Sequence, residues 1–91
     1  MAHLSKNRAA LVNRVRRIAG QVAALERSIV EEADCSRTLQ LVAATRGAMS
    51  GLMEELVADH VREHVAGADV APDVRAEAAE ELIAIISRYS K

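Results

Sequence analysis

The chain is poor in aromatic side chains and in cysteine, and both shortages narrow what it can be. It has no tryptophan, no phenylalanine and one tyrosine, so its apolar side chains are almost all aliphatic. Its single cysteine cannot form a disulfide within the chain, which leaves a free thiol, a metal ligand or a nucleophile. One proline and four glycines leave long stretches without helix breakers. This composition predicts an all-α protein.

The chain also lacks long apolar runs. None approaches the roughly 20 residues that a membrane-spanning helix requires, and the N-terminus has no signal-peptide core. We therefore expect a cytoplasmic protein with no membrane partner. Its 91 residues are the size of one domain, spanning 1–91. A domain this small buries little core by itself, which favours assembly into an oligomer.

The apolar residues recur with helical periodicity in three segments. The first has a heptad-like row with spacings of three and four after its first step: Leu4, Leu11, Val15, Ile18, Val22, Leu25 and Ile29. The acidic stretch 31–34 interrupts it. A second helix, from about Cys35 to Ala66, carries a row that we predict to be buried: Cys35, Leu39, Val42, Arg46, Met49, Met53, Leu56, His60 and His64. Burial of Arg46 would require an acidic or carbonyl partner. The third helix runs from about Pro72 to Arg88.

Two of the three histidines, His60 and His64, are four residues apart. That spacing places both rings on one side of a helix, where they can bind a metal, although it also occurs on solvent-exposed helices. Cys35 precedes His60 by 25 residues, which is about 37 Å along a continuous helix. These residues therefore cannot bind one ion within one chain. An antiparallel second copy of the helix would bring its Cys35 beside them, which predicts a site shared between two chains.

The N-terminus supplies further candidate ligands. The first helix turns back on the second, which returns His3 towards the two helical histidines, and removal of Met1 before Ala2 would leave a free amine nearby. The predicted metal ligands are the Ala2 amine, His3, His60 and His64 of one chain and Cys35 of another. Mostly nitrogen donors with one thiolate suit Ni(II) or Co(II), with Zn(II) possible. The short Cys-x-x-Cys spacings of structural zinc sites are absent.

Charge is distributed unevenly along the chain. The net charge is −1, but the charged residues among the first 25 are all basic. On a helix, four side chains of this segment form one stripe about 80° wide that could bind DNA phosphates: Lys6, Arg14, Arg17 and Gln21. A solvent-exposed face fits the same residues. The residues alone thus leave open a DNA-binding protein and a helical metal-binding protein without a DNA role, while no nucleophile–base set or phosphate loop indicates an enzyme.

Two segments carry a more specific signal: RVRRIAGQVAALERSI (14–29) and CSRTLQLVAATRGAMSGLMEELVADHVREH (35–64). Together they resemble the CsoR/RcnR/FrmR family of bacterial repressors, and the resemblance extends over about residues 5–90. It implies a three-helix protomer, an antiparallel four-helix-bundle dimer, and a tetramer made of two dimers. It also implies a transcriptional repressor that binds operator double-stranded DNA until an effector releases it. First-helix positions matching Arg14, Arg17 and Gln21 contribute to DNA binding in the family.

The effector differs among branches of that family. Copper sensors have a second cysteine where this chain has His64. Formaldehyde sensors have a proline where this chain has Ala2, and they pair the amine of that proline with the cysteine matching Cys35. They typically lack a histidine matching His64. The nickel/cobalt branch has matching residues at all four positions: His3, Cys35, His60 and His64. We therefore expect a repressor of a metal efflux operon that responds to Ni(II) or Co(II), with a formaldehyde-responsive repressor as the alternative.

Overall fold

The computed structural model describes residues 7–89, and its regular secondary structure over that range is helical. The helices are α1 (Arg8–Val30), α2 (Cys35–His60) and α3 (Pro72–Tyr89). A π-helical turn, Val61–Val65, follows α2 directly. The prediction of a three-helix, all-α chain is therefore confirmed. The segment predicted as the end of the second helix forms this π turn instead. No helix among the described residues is both long and apolar enough to span a membrane.

A tight turn ends α1 and leads into α2. Glu32 adopts a left-handed backbone conformation with φ of 53°. The Ala33 amide donates to the Ser28 carbonyl at 2.9 Å, and the Glu32 amide donates to the Ile29 carbonyl at 3.1 Å. These two hydrogen bonds form a Schellman motif, in which Glu32 occupies the position that glycine usually takes. The acidic segment thus ends the first helix as predicted, and α2 begins at Cys35.

The described residues form two compact units, which divide between Glu54 and Glu55. In the first, a row of α1 side chains with spacings of three and four is buried or half-buried: Leu11, Arg14, Ile18, Gln21, Leu25 and Ser28. Contacts between α1 and α2 within this unit include a hydrogen bond and a close approach of an arginine to a glycine. Ser28 and Thr38 share a hydrogen bond of 2.6 Å between their hydroxyl oxygens, and the Arg14 guanidinium lies against Gly51.

On α2, several of the larger apolar side chains lie outside the half-buried row. On α2 the half-buried residues up to Glu54 form one row: Thr38, Leu41, Thr45, Ala48, Gly51 and Leu52. The row predicted to be buried is exposed over most of this stretch, with Leu39 63 % and Met49 51 % accessible. Arg46 is exposed as well, so its charge does not require a buried partner. The prediction of burial is wrong for a single chain, because the row that loses exposure carries the smaller side chains.

In the second unit, α3 packs against the π turn. Ala78 is the buried residue of α3. The loop before α3 needs Gly67, because a Cβ there would lie 3.0 Å from a backbone oxygen of the π turn and 3.1 Å from Cγ2 of Val70. Arg75 closes this loop by donating to the carbonyls of Gly67 at 3.3 Å and Val70 at 3.0 Å.

Candidate functional site

The two helical histidines lie side by side where α2 passes into the π turn. Their ring centroids are 5.1 Å apart and the ring planes are inclined by 51°. Both residues are half-buried. Imidazole nitrogens bind a metal at about 2.0–2.1 Å, and two rings this close can be directed at one ion. The structure thus brings together His60 and His64, as the four-residue spacing predicts, and the pair fits part of a metal site.

The ring of His60 is held by α3. Its Nε2 lies 3.2 Å from the carbonyl oxygen of Ala78. A carbonyl oxygen only accepts hydrogen bonds, so Nε2 is the donor, and the neutral ring then carries its lone pair on Nδ1. Metal-binding histidines commonly donate their other ring N–H to such an acceptor, which fixes the ring and raises its basicity. The contact therefore leaves Nδ1 as the His60 nitrogen that could bind a metal. Sequence reasoning missed Ala78 because it contributes only its backbone.

Asp59 is a second residue that sequence reasoning missed. It is buried, with 6 % of its surface accessible, and its Oδ1 accepts a hydrogen bond of 2.8 Å from Nη1 of Arg62. Acidic and basic residues three positions apart on a helix are neighbours, so the spacing in DHVR was the available signal. The arginine partly neutralises a carboxylate that adjoins His60 in the chain.

Of the remaining predicted ligands, Cys35 is the one that lies among the described residues. Cys35 is an exposed free thiol at the first position of α2. This helix continues without interruption to His60, as the prediction of a two-chain site requires. Ala2 and His3 lie outside the described residues. Between residues 7 and 89, no three or more side chains of histidine, cysteine, aspartate or glutamate are grouped closely enough to hold a metal ion.

The predicted basic stripe divides between two environments. Arg17 is exposed. Arg14 and Gln21 are half-buried and belong to the inward row of α1, which is the buried or half-buried row that runs from Leu11 to Ser28. The Oε1 atom of Gln21 is buried and has no hydrogen-bond partner among residues 7–89. Lys6 lies outside the described residues. The Arg14 guanidinium lies against Gly51. Sequence reasoning missed this contact because glycine has no side chain to indicate it.

The described residues thus form an all-helical protein with a candidate metal site at paired histidines and a basic first helix. The model of the metal-sensitive transcriptional repressors matches residues 7–88, and the chain belongs to this family. Membership confirms the resemblance drawn from the two sequence segments. It favours a DNA-binding repressor over a metal-binding protein without a DNA role.

Individual relatives agree with this assignment. An uncharacterized protein in the bioA 5' region of Serratia marcescens is 44 % identical over the whole of both chains. A transcriptional repressor RcnR homolog of Escherichia coli O139:H28 (strain E24377A / ETEC) is 40 % identical over 65 residues, 71 % of this chain and 72 % of the relative. Among solved structures, a variant of the formaldehyde-responsive regulator FrmR from Salmonella enterica serovar Typhimurium, with histidine in place of a glutamate, is 39 % identical. Its TM-score is 0.86, and the match covers 92 % of this chain and 94 % of that one.

The family fixes the general activity. Its members are transcriptional regulators rather than enzymes, and membership implies DNA binding, oligomer formation and a metal effector. The identity of the effector is a separate question, since the relatives include both an RcnR homolog and a formaldehyde-responsive regulator.

Proposed function

We propose that the chain is a transcriptional repressor that releases operator double-stranded DNA when Ni(II) or Co(II) binds, which switches on a metal efflux operon. The observation that carries this proposal is the His60–His64 pair, with His60 held by the Ala78 carbonyl at 3.2 Å. The full ligand set is the Ala2 amine, His3, His60 and His64 of one chain and Cys35 of another. Zn(II) accepts the same donors and is the next candidate.

Two features support a site shared between chains. The first is that α2 runs unbroken from Cys35 to His60, so a thiolate for the histidine pair must come from a second copy. The second is the apolar row that one chain leaves exposed, which includes Leu39 and Met49 on α2 and Val22 on α1. In the proposed assembly, two copies cover these rows in an antiparallel four-helix-bundle dimer, and two dimers form a tetramer. Residues 1–91 act as one repressor domain.

The ligand set suggests how metal binding reaches the DNA. An ion that joins Ala2 and His3 of one chain to Cys35 of another reorders the start of α1. The proposed DNA-binding residues are Lys6 and, on α1, Arg14, Arg17 and Gln21. A coupling free energy of about 1–3 kcal/mol per site is typical of such regulation. Because His60 is bound to α3 through Ala78, a metal-induced shift of its ring also reaches the third helix.

A release titration tests this function. The operator is obtained by selecting the tightest-binding duplex for the metal-free protein from a random pool, and release is followed with Ni(II), Co(II), Zn(II), Cu(I) and formaldehyde in parallel. We expect Ni(II) and Co(II) to release the duplex. Co(II) should also give thiolate-to-metal absorption that Cys35→Ala abolishes, while Ser36→Ala, the neighbouring exposed position, retains it. Unchanged DNA binding at saturating Ni(II) and Co(II) would refute the proposal.

Mixing two inactive variants tests whether the site is shared. Cys35→Ala removes the thiolate and His64→Ala removes an imidazole, so neither variant alone has a complete site. After subunit exchange, a mixed dimer regains one complete site, since one chain keeps its histidines and the other its cysteine. Random exchange in a twofold-symmetric dimer should restore about a quarter of the wild-type Co(II)–thiolate absorption. A site within one chain would give no recovery.

A second candidate function is a formaldehyde-responsive repressor. The exposed thiol of Cys35 and the structural similarity to the formaldehyde-responsive regulator favour it. In this reaction the carbon of formaldehyde forms one bond to the thiol sulfur and one to the Ala2 amine, and water leaves. Intact mass after formaldehyde treatment tests it. A crosslinked dimer that is lost in Cys35→Ala would support this function, and its absence would exclude it.

A further inference from the structure

Arg14 crosses α2 at a glycine. A Cβ built on Gly51 would lie 2.6 Å from Nη2 and 3.6 Å from Cζ of Arg14. Contacts under 3.0 Å are essentially not seen for a real Cβ. The observed position of the guanidinium is therefore possible only if residue 51 has no side chain.

The other helical glycines make this position distinctive. A Cβ on Gly20 or Gly47 would meet nothing within 4 Å, and none of the glycines has a positive φ among the described residues. Glycine is less favourable than alanine inside a helix, so a glycine without a conformational need requires another reason. Gly51 has one within its own chain, which is the space that it leaves for Arg14.

The contact at Gly51 involves the far end of a flexible side chain. An alanine there can be accommodated when the Arg14 guanidinium moves, with α1 and α2 left in place. A substitution at 51 should therefore displace a charge without disturbing the fold. Moving a guanidinium that binds a phosphate weakens that interaction, because it depends on the position of the donors.

We propose that Gly51 is a positioning residue for operator binding, which acts by leaving room for the guanidinium of Arg14 across α2. This inference rests on the proposed function, since Arg14 must contribute to DNA binding. It adds to that function a determinant on α2 that bears no charge and does not itself contact DNA. Its observable consequence is an electrostatic change in DNA binding that arises from adding one methyl group.

A double-mutant cycle with a salt series tests the proposal. Gly51→Ala, Arg14→Ala and the double variant are compared with Gly47→Ala, a matched glycine-to-alanine change one turn earlier on α2. Each full-length protein is titrated with the duplex that the wild type selects from a random pool, and its assembly mass is measured. We expect Gly51→Ala to weaken binding about tenfold and to reduce the salt slope by about one for each phosphate that Arg14 no longer binds. Gly47→Ala should bind like the wild type.

The cycle separates positioning from a general structural effect. In the Arg14→Ala background, Gly51→Ala should change neither the affinity nor the salt slope, because no guanidinium remains to be displaced. If Gly51→Ala matches Gly47→Ala, or if its effect adds in full to that of Arg14→Ala, the inference is overturned while the repressor function stands. If the wild type shows no preference for any duplex, the proposed function fails and takes this inference with it.

Discussion

The turn between α1 and α2 allows a stability prediction that separates backbone conformation from charge. Glu32 has φ of 53°, whereas its neighbour Glu31 has φ of −85° and ψ of 4°. Both side chains are exposed and carry the same charge. We expect Glu32→Gly to raise the free energy of unfolding and Glu31→Gly to lower it. Each substitution removes one exposed carboxylate, so the two differ only in the backbone conformation of the substituted residue.

The size of the effect follows from two opposing terms. A left-handed conformation costs an L-residue about 1–2 kcal/mol, and glycine avoids that cost. Glycine also loses more conformational freedom on folding, which costs about 0.5–1 kcal/mol. Glu32→Gly should therefore stabilise the fold by about 0.5–1 kcal/mol, because relief of strain exceeds the entropy loss. Glu31→Gly has only the unfavourable term, so the two variants should differ by about 1–2 kcal/mol.

Urea unfolding followed by circular dichroism measures this difference. All variants must be compared at one protomer concentration, because assembly shifts the apparent stability. For a domain of this size, 1 kcal/mol corresponds to a shift in Tm of about 4–8 °C. Glu32→Ala is the control, since it removes the carboxylate but keeps the Cβ, and it should not stabilise. A rise with Glu32→Ala equal to that with Glu32→Gly, or a Glu32→Gly variant no more stable than Glu31→Gly, would refute the conformational explanation.

Three further changes test packing and assembly. Ser28→Ala should lower the free energy of unfolding by about 0.5–1 kcal/mol in urea titration, because losing the hydrogen bond to Thr38 outweighs the better helix propensity of alanine. Gly67→Ala should cost about 1–3 kcal/mol by the same assay, since its Cβ meets the backbone of the π turn, whereas Gly47→Ala has open space and should cost nothing. Met49→Lys should reduce the assembly mass in analytical ultracentrifugation with helical content kept, because it places an unpaired charge in the proposed interface. An unchanged mass would argue against that interface.

The three helices could be predicted from sequence because their signals are local. Pro72 begins α3 as predicted, and α2 begins at the predicted Cys35. The π turn had no such signal, yet it did not disturb the prediction for His60 and His64. Residues four apart slightly overshoot one turn of an α-helix and slightly undershoot one turn of a π-helix. They are neighbours in both.

The side of each helix that packs against the rest of its own chain could not be predicted. Apolar periodicity identifies Val15 and Val22 as readily as Leu11 and Ile18, but only the latter two are buried in the chain. Adjacent rows on a helix both have spacings of three and four, so a sequence row does not say which neighbour will cover it. The inward row instead includes Arg14, because Gly51 leaves space on α2, and that pairing depends on tertiary contact between distant residues.

The candidate metal site was only partly predictable for a related reason. Spacing along one helix predicts the pairing of His60 with His64, whereas the Ala78 carbonyl reaches His60 from another helix. The sharing of Cys35 between chains was inferred from helix length, because Cys35 and His60 of one chain are too far apart to bind the same ion. Between residues 7 and 89 no three candidate ligands are grouped closely enough to hold a metal ion. In the proposed site, Cys35 of a second copy joins the histidine pair.

A shared ligand set makes assembly and effector binding interdependent. In the proposed site, Cys35 of one chain and His60 of another bind the same ion, so metal binds the assembled form more tightly than the separated chains. By linkage, assembly must then favour metal binding by the same free energy with which metal favours assembly. Each 1.4 kcal/mol of this coupling corresponds to about a tenfold shift in the dissociation constant of the assembly. Loss of operator DNA can therefore follow from a rearranged oligomer, and does not require the repressor to fall apart when metal binds.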